Sequence, residues 1–205
     1  MNAGLVIILQ AAAFVPFGAP EPKTDPSYWL TIDDLGSYAA YRSSIDPVGV
    51  ELHTDEVGRA VKCRIFRTSG FADLDRSVCE RTLGRARFDP ATGPTEHKVP
   101  SVWRSVYYWS AADAERAHKH GPFDVRIATD IDRNPDLIGT AQVLLSVTER
   151  AEIEKCSVRY ATGSKAVFAA ACDSIGRHIE NVAILDENGE PVRGFRIARI
   201  EYFAP

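Results

Sequence analysis

The four cysteines fall into two pairs with the same internal spacing, Cys63 with Cys79 and Cys156 with Cys172, and the second pair follows the first by 93 positions. Laid on that offset, Val50-Glu51-Leu52 meets Val143-Leu144-Leu145, Lys62-Cys63-Arg64-Ile65 meets Lys155-Cys156-Ser157-Val158, and Ser69-Gly70 meets Thr162-Gly163. Val99 meets Val192. Two cysteines, a turn glycine and apolar strand positions rarely coincide by chance. A period this long exceeds that of solenoid repeats, so the chain is expected to hold two duplicated small domains.

The 205 residues, 45% hydrophobic and 25% charged, suit an ordinary globular protein of one large or two small domains. A net charge of −4 with no run of Lys or Arg gives no electrostatic footprint for nucleic acid or an anionic membrane. An even cysteine count at regular spacing reads as two disulfides in an exported chain, whereas a cytosolic one would need free thiols or metal. Residues Leu5 to Phe17 are apolar apart from Gln10 and Pro16. That is the length of a signal-peptide core and short of the ~18 to 20 residues of a membrane helix, with Ala13 suiting cleavage. Met1 to Gly4 carry no basic residue. The alternative is that the stretch packs on the domain.

Residues 1–19 are therefore expected to be a signal peptide and 20–28 a Pro-rich extended linker, with Pro20, Pro22 and Pro26. Val48, Val50 and Leu52 alternate, Asp55-Glu56-Val57-Gly58-Arg59 carries turn chemistry, and Val61, Cys63 and Ile65 alternate again, which predicts a hairpin. Leu74, Val78 and Leu83 then lie near helical spacing, with Asp73 or Asp75 in the first turn where the helix dipole favours an acid. Val99 to Trp109 reads as a final strand.

The second copy repeats this order, with Phe168, Ala171, Cys172, Ile175 and Ile179 as one apolar helical stripe. Cys156, Val158 and Tyr160 share a strand face by their period of two, so a strand cysteine and a helix cysteine can meet across one small core. The pairing Cys63–Cys79 and Cys156–Cys172 follows. Asn188-Gly189 signals a tight hairpin before a strand from Val192 to Phe203.

Trp29 with Thr31-Ile32-Asp33-Asp34, the strand around Val50 and Leu52, Gly58-Arg59, Cys63, Thr68-Ser69-Gly70, Leu74-Asp75, Cys79 and Phe88-Asp89-Pro90-Ala91 stand in a recognisable order. Cys156, Thr162-Gly163, Cys172 and Asn188-Gly189-Glu190-Pro191-Val192 repeat part of it. This order resembles the TonB C-terminal domain family. The likeness implies an α+β fold of two tandem TonB-like domains, over 29–110 and 122–205 with a linker at 111–121. Each would be a β-hairpin, a helix and a final antiparallel strand with one disulfide. The second copy departs from the pattern at Ala151, opposite Gly58, and at Val167-Phe168, opposite Leu74-Asp75.

What the resemblance implies is a monomeric, non-enzymatic periplasmic protein. It would bind extended peptides of outer-membrane receptors or other envelope proteins by strand addition. Neither a cofactor nor a small-molecule substrate is expected. The candidate edges are the last strands, with Val102, Trp103, Arg104 and Val106 in the first copy and Phe195, Arg196 and Arg199 in the second. Paired with each other, those two edges would be lost to partners. TonB-type energy transducers carry an inner-membrane helix and a long Pro-rich spacer, whereas this linker of about ten residues reaches only ~30 Å. A membrane-anchored transducer at the periplasmic face of the inner membrane stays open as an alternative, and a thiol-disulfide or other envelope enzyme as another.

Other constellations read as structure. His118-Lys119-His120 has no third ligand nearby and suits a solvated loop. Asp130-Ile131-Asp132-Arg133-Asn134-Pro135-Asp136 opens like a calcium loop but has Pro135 where that loop needs Gly and Ala141 where it needs Glu, so an acidic turn is expected. Thr162-Gly163-Ser164-Lys165 lacks the order of a phosphate loop and reads as a helix start. No nucleophile with placed partners is found.

Overall fold

Alternation, turn and helix signals recur 93 positions apart, and each repeat folds into the same α+β unit. In the computed structural model, which describes residues 7–8, 20–93, 96–110, 123–130, 132–179 and 183–205, strands β1 (Val48–Thr54) and β2 (Ala60–Arg67) form an antiparallel hairpin. Helix α1 (Ala72–Arg85) follows, and β3 (Ser101–Tyr108) returns antiparallel to β1. A short strand without counterpart in the first repeat, β4 (Val125–Ala128), precedes the second unit. There β5 (Gly139–Val147), β6 (Ile153–Ala161), α2 (Lys165–His178) and β7 (Gly194–Phe203) repeat the order. The two helices begin and end at equivalent positions. So do the two-residue ladders Ala91–Thr92 with Lys98–Val99 and Ile184–Leu185 with Pro191–Val192.

The turns match even where the residues do not. Gly58 (φ 81°) and Ala151 (φ 62°) both hold the left-handed conformation in turns closed by Asp55 N–H to Arg59 O at 3.0 Å and Thr148 N–H to Glu152 O at 2.9 Å. The alanine departs from the glycine in residue type only. Both disulfides form within their own repeats, Cys63–Cys79 and Cys156–Cys172, each tying the second strand of the hairpin to the helix across Cα–Cα distances of 5.6 and 5.8 Å.

In α1, Leu74, Val78 and Thr82 are buried, and in α2, Val167, Ala171 and Ile175. Phe168 does not join that stripe and is 54% exposed. Its counterpart Asp75 explains the position. Asp75 turns back to the preceding loop, accepting the Ser69 N–H at 2.9 Å and the Thr68 hydroxyl at 2.5 Å. Phe168 stands where the first repeat has a loop-binding acid, while Ser164 supplies the second helix's cap by accepting the Ala166 N–H.

The Pro-rich segment is not an extended linker. Glu21–Pro22 pairs with Phe88–Asp89, Pro26–Tyr28 forms a 3₁₀ turn, and Ile32–Ser44 forms a 3₁₀ run kinked at Gly36 (φ 53°). Trp29, 1% exposed, packs edge-on against Phe88 and Trp103, with ring centroids 5.4 and 5.2 Å away. The 3₁₀ run is fixed by Asp34, which closes a capping box with Thr31 and receives Arg85 from the end of α1. The region preceding the first hairpin is thus part of its core.

The repeats do not stand apart. Their strands form one sheet in the order β6-β5-β7-β3-β1-β2, joined where β7 runs parallel to β3, Phe195 opposite Ser101 and Arg196 opposite Val102. Helix α1 covers the face carrying Val50, and Leu52 and Trp103 lie on that side. Val102, on the other face of β3, packs with Leu145, Ala198, Val167 and Ile175 in the core of the second repeat. The helices therefore lie on opposite faces of the shared sheet. Two units with parallel junction strands and opposite helix faces are related by a half-turn about an axis along those strands. No helix among the described residues is long and apolar enough to cross a membrane. His118-Lys119-His120, the rest of the 111–121 linker and all of the N-terminal apolar stretch except Ile7–Ile8 lie outside the described residues.

Candidate functional site

The last strands, expected as free edges, are interior. β3 pairs along its length with β1 on one side, and on the other side meets β7 at its start and residues 7–8 at its end, with Ile7 opposite Tyr108 and Ile8 opposite Tyr107 in the antiparallel sense. β7 pairs with β5 on one side and with β3 and then β4 on the other, with Ile200 opposite Val125 through Phe203 opposite Ala128. The reason is burial on both faces. β3 carries Trp103 and Tyr107 on the α1 side and Val102 and Val106 on the other, which is the composition of a central strand.

After Ser101–Val102 the two last strands separate like the arms of a fork. Within it, residues 103–106 of β3 and 197–199 of β7 have no ladder partner on that side among the described residues. On the β7 arm Asp124 fills the gap, donating its N–H to Arg199 O at 2.9 Å and accepting the Arg199 N–H on Oδ2 at 2.8 Å. On the β3 arm no described residue pairs with 103–106 on that side. This slot, bounded by the β7 junction and by residues 7–8, is the candidate site.

The base of the fork is held by charge. Asp124 Oδ1 accepts from Arg104 Nη1 at 2.5 Å and from Arg196 Nη2 at 3.2 Å. Glu51, fully buried, accepts from Arg104 Nε at 2.5 Å and Arg64 Nε at 2.9 Å, and Arg196 Nη1 stands 3.7 Å from it. Burial alone would raise the Glu51 pKa, but His53 and the surrounding guanidinium groups of Arg104, Arg196 and Arg64 hold it far below the ordinary range. Burial lowers the pKa of Arg196, Arg104 beside it lowers it further, and Asp124 and Glu51 work against both. His53 Nδ1 accepts the Leu185 N–H at 2.9 Å, so the small hairpin of the second repeat is tied to the sheet of the first.

Of the residues expected to touch a peptide, Arg196 is 2% exposed and belongs to this cluster, as does Arg104. Val102 and Val106 are buried, and Trp103 packs against Trp29 and Phe88. Phe195 lies partly buried beside Gly93, and Arg199 is partly buried with its backbone held by Asp124. These residues build the junction and its flanks, and among the described residues the backbone of 103–106 has no ladder partner on the side away from β1. Asp124 was invisible to sequence reasoning. A lone Asp before a short β-branched stretch carries no signal until the strand beside it is known.

The sheet has true outer edges at β2 and β6. Along β2, Lys62, Arg64 and Arg67 place positive charge, a device that keeps other strands away. A shallow cleft of about 360 Å³ lies between the 55–59 turn and the 185–192 hairpin, with Val61, Pro100, Leu185 and Val192 in its lining. The acidic segment expected after Thr129 is a turn, Asp130 accepting the N–H groups of Asp132 and Arg133. No protein-family model, no curated protein and no solved structure matches the chain.

Proposed function

We propose that the chain is a TonB-like envelope protein-binding module that takes extended peptide segments, from outer-membrane receptors or other envelope proteins, by strand addition to β3 at residues 103–108. The observation that carries this reading is the antiparallel pairing of Ile7–Ile8 with Tyr108–Tyr107, a strand added at the place the reading requires. Main-chain hydrogen bonds in such a slot give affinity, and the flanking side chains set which segments fit. The two disulfides accord with an oxidising compartment such as the periplasm.

The reading differs from free-edge addition in one respect. An added peptide strand goes to the β3 arm of the fork, because among the described residues β4 and Asp124 already occupy the β7 arm. An NMR titration of the oxidised protein with extended peptides from receptor plug segments tests it. Saturable backbone shifts over 103–108, with 197–203 silent, are the expected result. Shifts confined to β2 or β6 would place binding at an outer edge and overturn it.

A further inference from the structure

We infer that the cleft between the 55–59 turn of the first repeat and the 185–192 hairpin of the second is a docking site for an arginine side chain of a partner polypeptide. The inference is independent of strand addition to β3 and stands on what the second repeat does with the same positions.

On the 93-residue offset, Glu56, Val61 and Pro100 of the cleft lining correspond to Glu149, Glu154 and Arg193. In the second repeat these form one ion-paired group, with Arg193 Nε 3.4 Å from Glu149 Oε1 and Nη1 donating to Glu154 Oε2 at 2.9 Å. The second repeat thus lays a guanidinium of its own between two acids. In the first repeat proline replaces that arginine and valine replaces one of the acids, and the place is a cleft of about 360 Å³. A second acid comes from across the junction, because Glu187 lines the cleft from the hairpin side.

The lining fits an arginine in charge and in polarity. Asp55 is taken up by Arg59 and by its own turn, and Asp186 by the N–H groups of Asn188 and Glu190. Glu56 and Glu187 make no ion pair or side-chain hydrogen bond among the described residues, although Arg59, paired with Asp55, also feels the charge of Glu187. Lys62 approaches Gly189 but is not in the lining. Val57, Val61, Pro100, Leu185 and Val192 supply the apolar surface, and Val57 is 66% exposed. Arginine matches both parts, with an aliphatic stem that packs on apolar surface and a planar guanidinium that two carboxylates can share. A lysine ammonium is a more strongly hydrated point charge. The walls are fixed beforehand, since the Leu185 N–H is held by His53 at 2.9 Å and Asp55 and Asp186 close their own turns. A cleft this shallow, near the small end of the about 300–1,000 Å³ range of ligand pockets, takes one side chain rather than enclosing a whole molecule, so the arginine is presented by a polypeptide.

The test is an NMR titration of the full oxidised chain with the blocked peptide acetyl-Gly-Leu-Arg-Leu-Gly-amide. A second peptide carries citrulline, which keeps the shape of arginine and loses its charge. Saturable shifts over 55–61 and 185–192 are expected with arginine, and binding about fivefold weaker with citrulline. Glu56→Gln and Glu187→Gln, at exposed positions, should each weaken the arginine peptide about threefold. Pro100→Arg restores the residue of the second repeat, so it should fill the cleft from within and abolish the shifts. Amide exchange across the ladder of Ser101–Val102 with Phe195–Arg196 reports that each variant is folded. Equal binding of the two peptides, unchanged binding by the glutamine variants, or full binding by Pro100→Arg would overturn the inference. So would the absence of shifts up to the solubility limit of the peptide, or shifts confined to 103–108, which would assign the peptide to strand addition. Acetyl-arginine-amide binding as tightly as the peptide would make the cleft a small-cation site and overturn the polypeptide partner.

Discussion

Arg196 occupies in the second repeat the position Trp103 occupies in the first, each directly across the ladder from a core leucine, Leu145 and Leu52. In one unit the place is filled by an aromatic ring packed on Trp29. In the other it holds a buried cation that reaches Asp124 and Glu51 across the junction. At this equivalent position the first repeat fills its own core, whereas the second sends a charge to Glu51 of the first.

Arg196→Met keeps the volume and removes the charge. Asp124 retains Arg104, and Glu51 retains Arg104 and Arg64, so neither carboxylate is orphaned, but the buried cluster loses a cation. Breaking a buried ion pair on one side costs about 3–5 kcal/mol. A loss near the lower end is expected in urea unfolding of the oxidised protein.

Acid should act through Glu51. Its folded-state carboxyl is held below its ordinary value, so its contribution to stability is complete above the unfolded carboxylate pKa of about 4.3 and is lost as pH falls through and below it. The urea midpoint is expected to drop from pH 6 to pH 3 in the unaltered protein. Glu51→Gln should be less stable at pH 6 and show a shallower pH dependence. Parallel curves for the two proteins would assign the acid response to other groups.

The paired turns predict opposite responses to opposite exchanges. Ala151→Gly relieves a left-handed alanine, whose cost of ~1–2 kcal/mol is partly offset by the greater freedom of glycine in the unfolded chain, leaving a gain of about 0.5–1 kcal/mol. Gly58→Ala adds that strain and also drives a Cβ into the carbonyl oxygen of Phe88, so its loss should exceed the gain at 151. Thermal unfolding of both variants measures the difference.

Each disulfide spans 16 positions, and a loop of that size is worth about 3 kcal/mol in the chain-entropy model. Replacing Cys156 and Cys172 by alanine should destabilise the second unit by roughly that amount. The first unit, which has Trp29, Phe88 and Trp103 clustered beside Cys63, is expected to tolerate the equivalent change better. Urea unfolding of the two double variants compares them.

Much of the unit was legible because its signals are local. Period-two alternation gave β1 and β2, the apolar spacing Leu74–Val78 gave α1, and the shared cysteine spacing gave both disulfides and the 93-residue offset. Phe168 was misplaced because helical spacing alone cannot tell a core-facing position from one facing the preceding loop. The junction was hidden for a different reason. It rests on two parallel residue pairs and on Asp124, which meets Arg104 and Arg196 from 20 and 72 positions away, and no local pattern encodes such pairings. The one available signal was the bulk on both faces of Val102 to Tyr108, which marks a central strand and argued against an edge.

The central claim is that the last strands of the two repeats meet in parallel at Ser101–Val102 and Phe195–Arg196 and diverge beyond them, with β4 alongside β7. Interstrand nuclear Overhauser effects in the oxidised protein test it most directly. The account predicts cross-peaks linking Ser101–Val102 with Phe195–Arg196 and Val125–Ala128 with Ile200–Phe203, and none linking 103–106 with 197–199. Absence of the first set, with both last strands behaving as solvent-exposed edges, would contradict it.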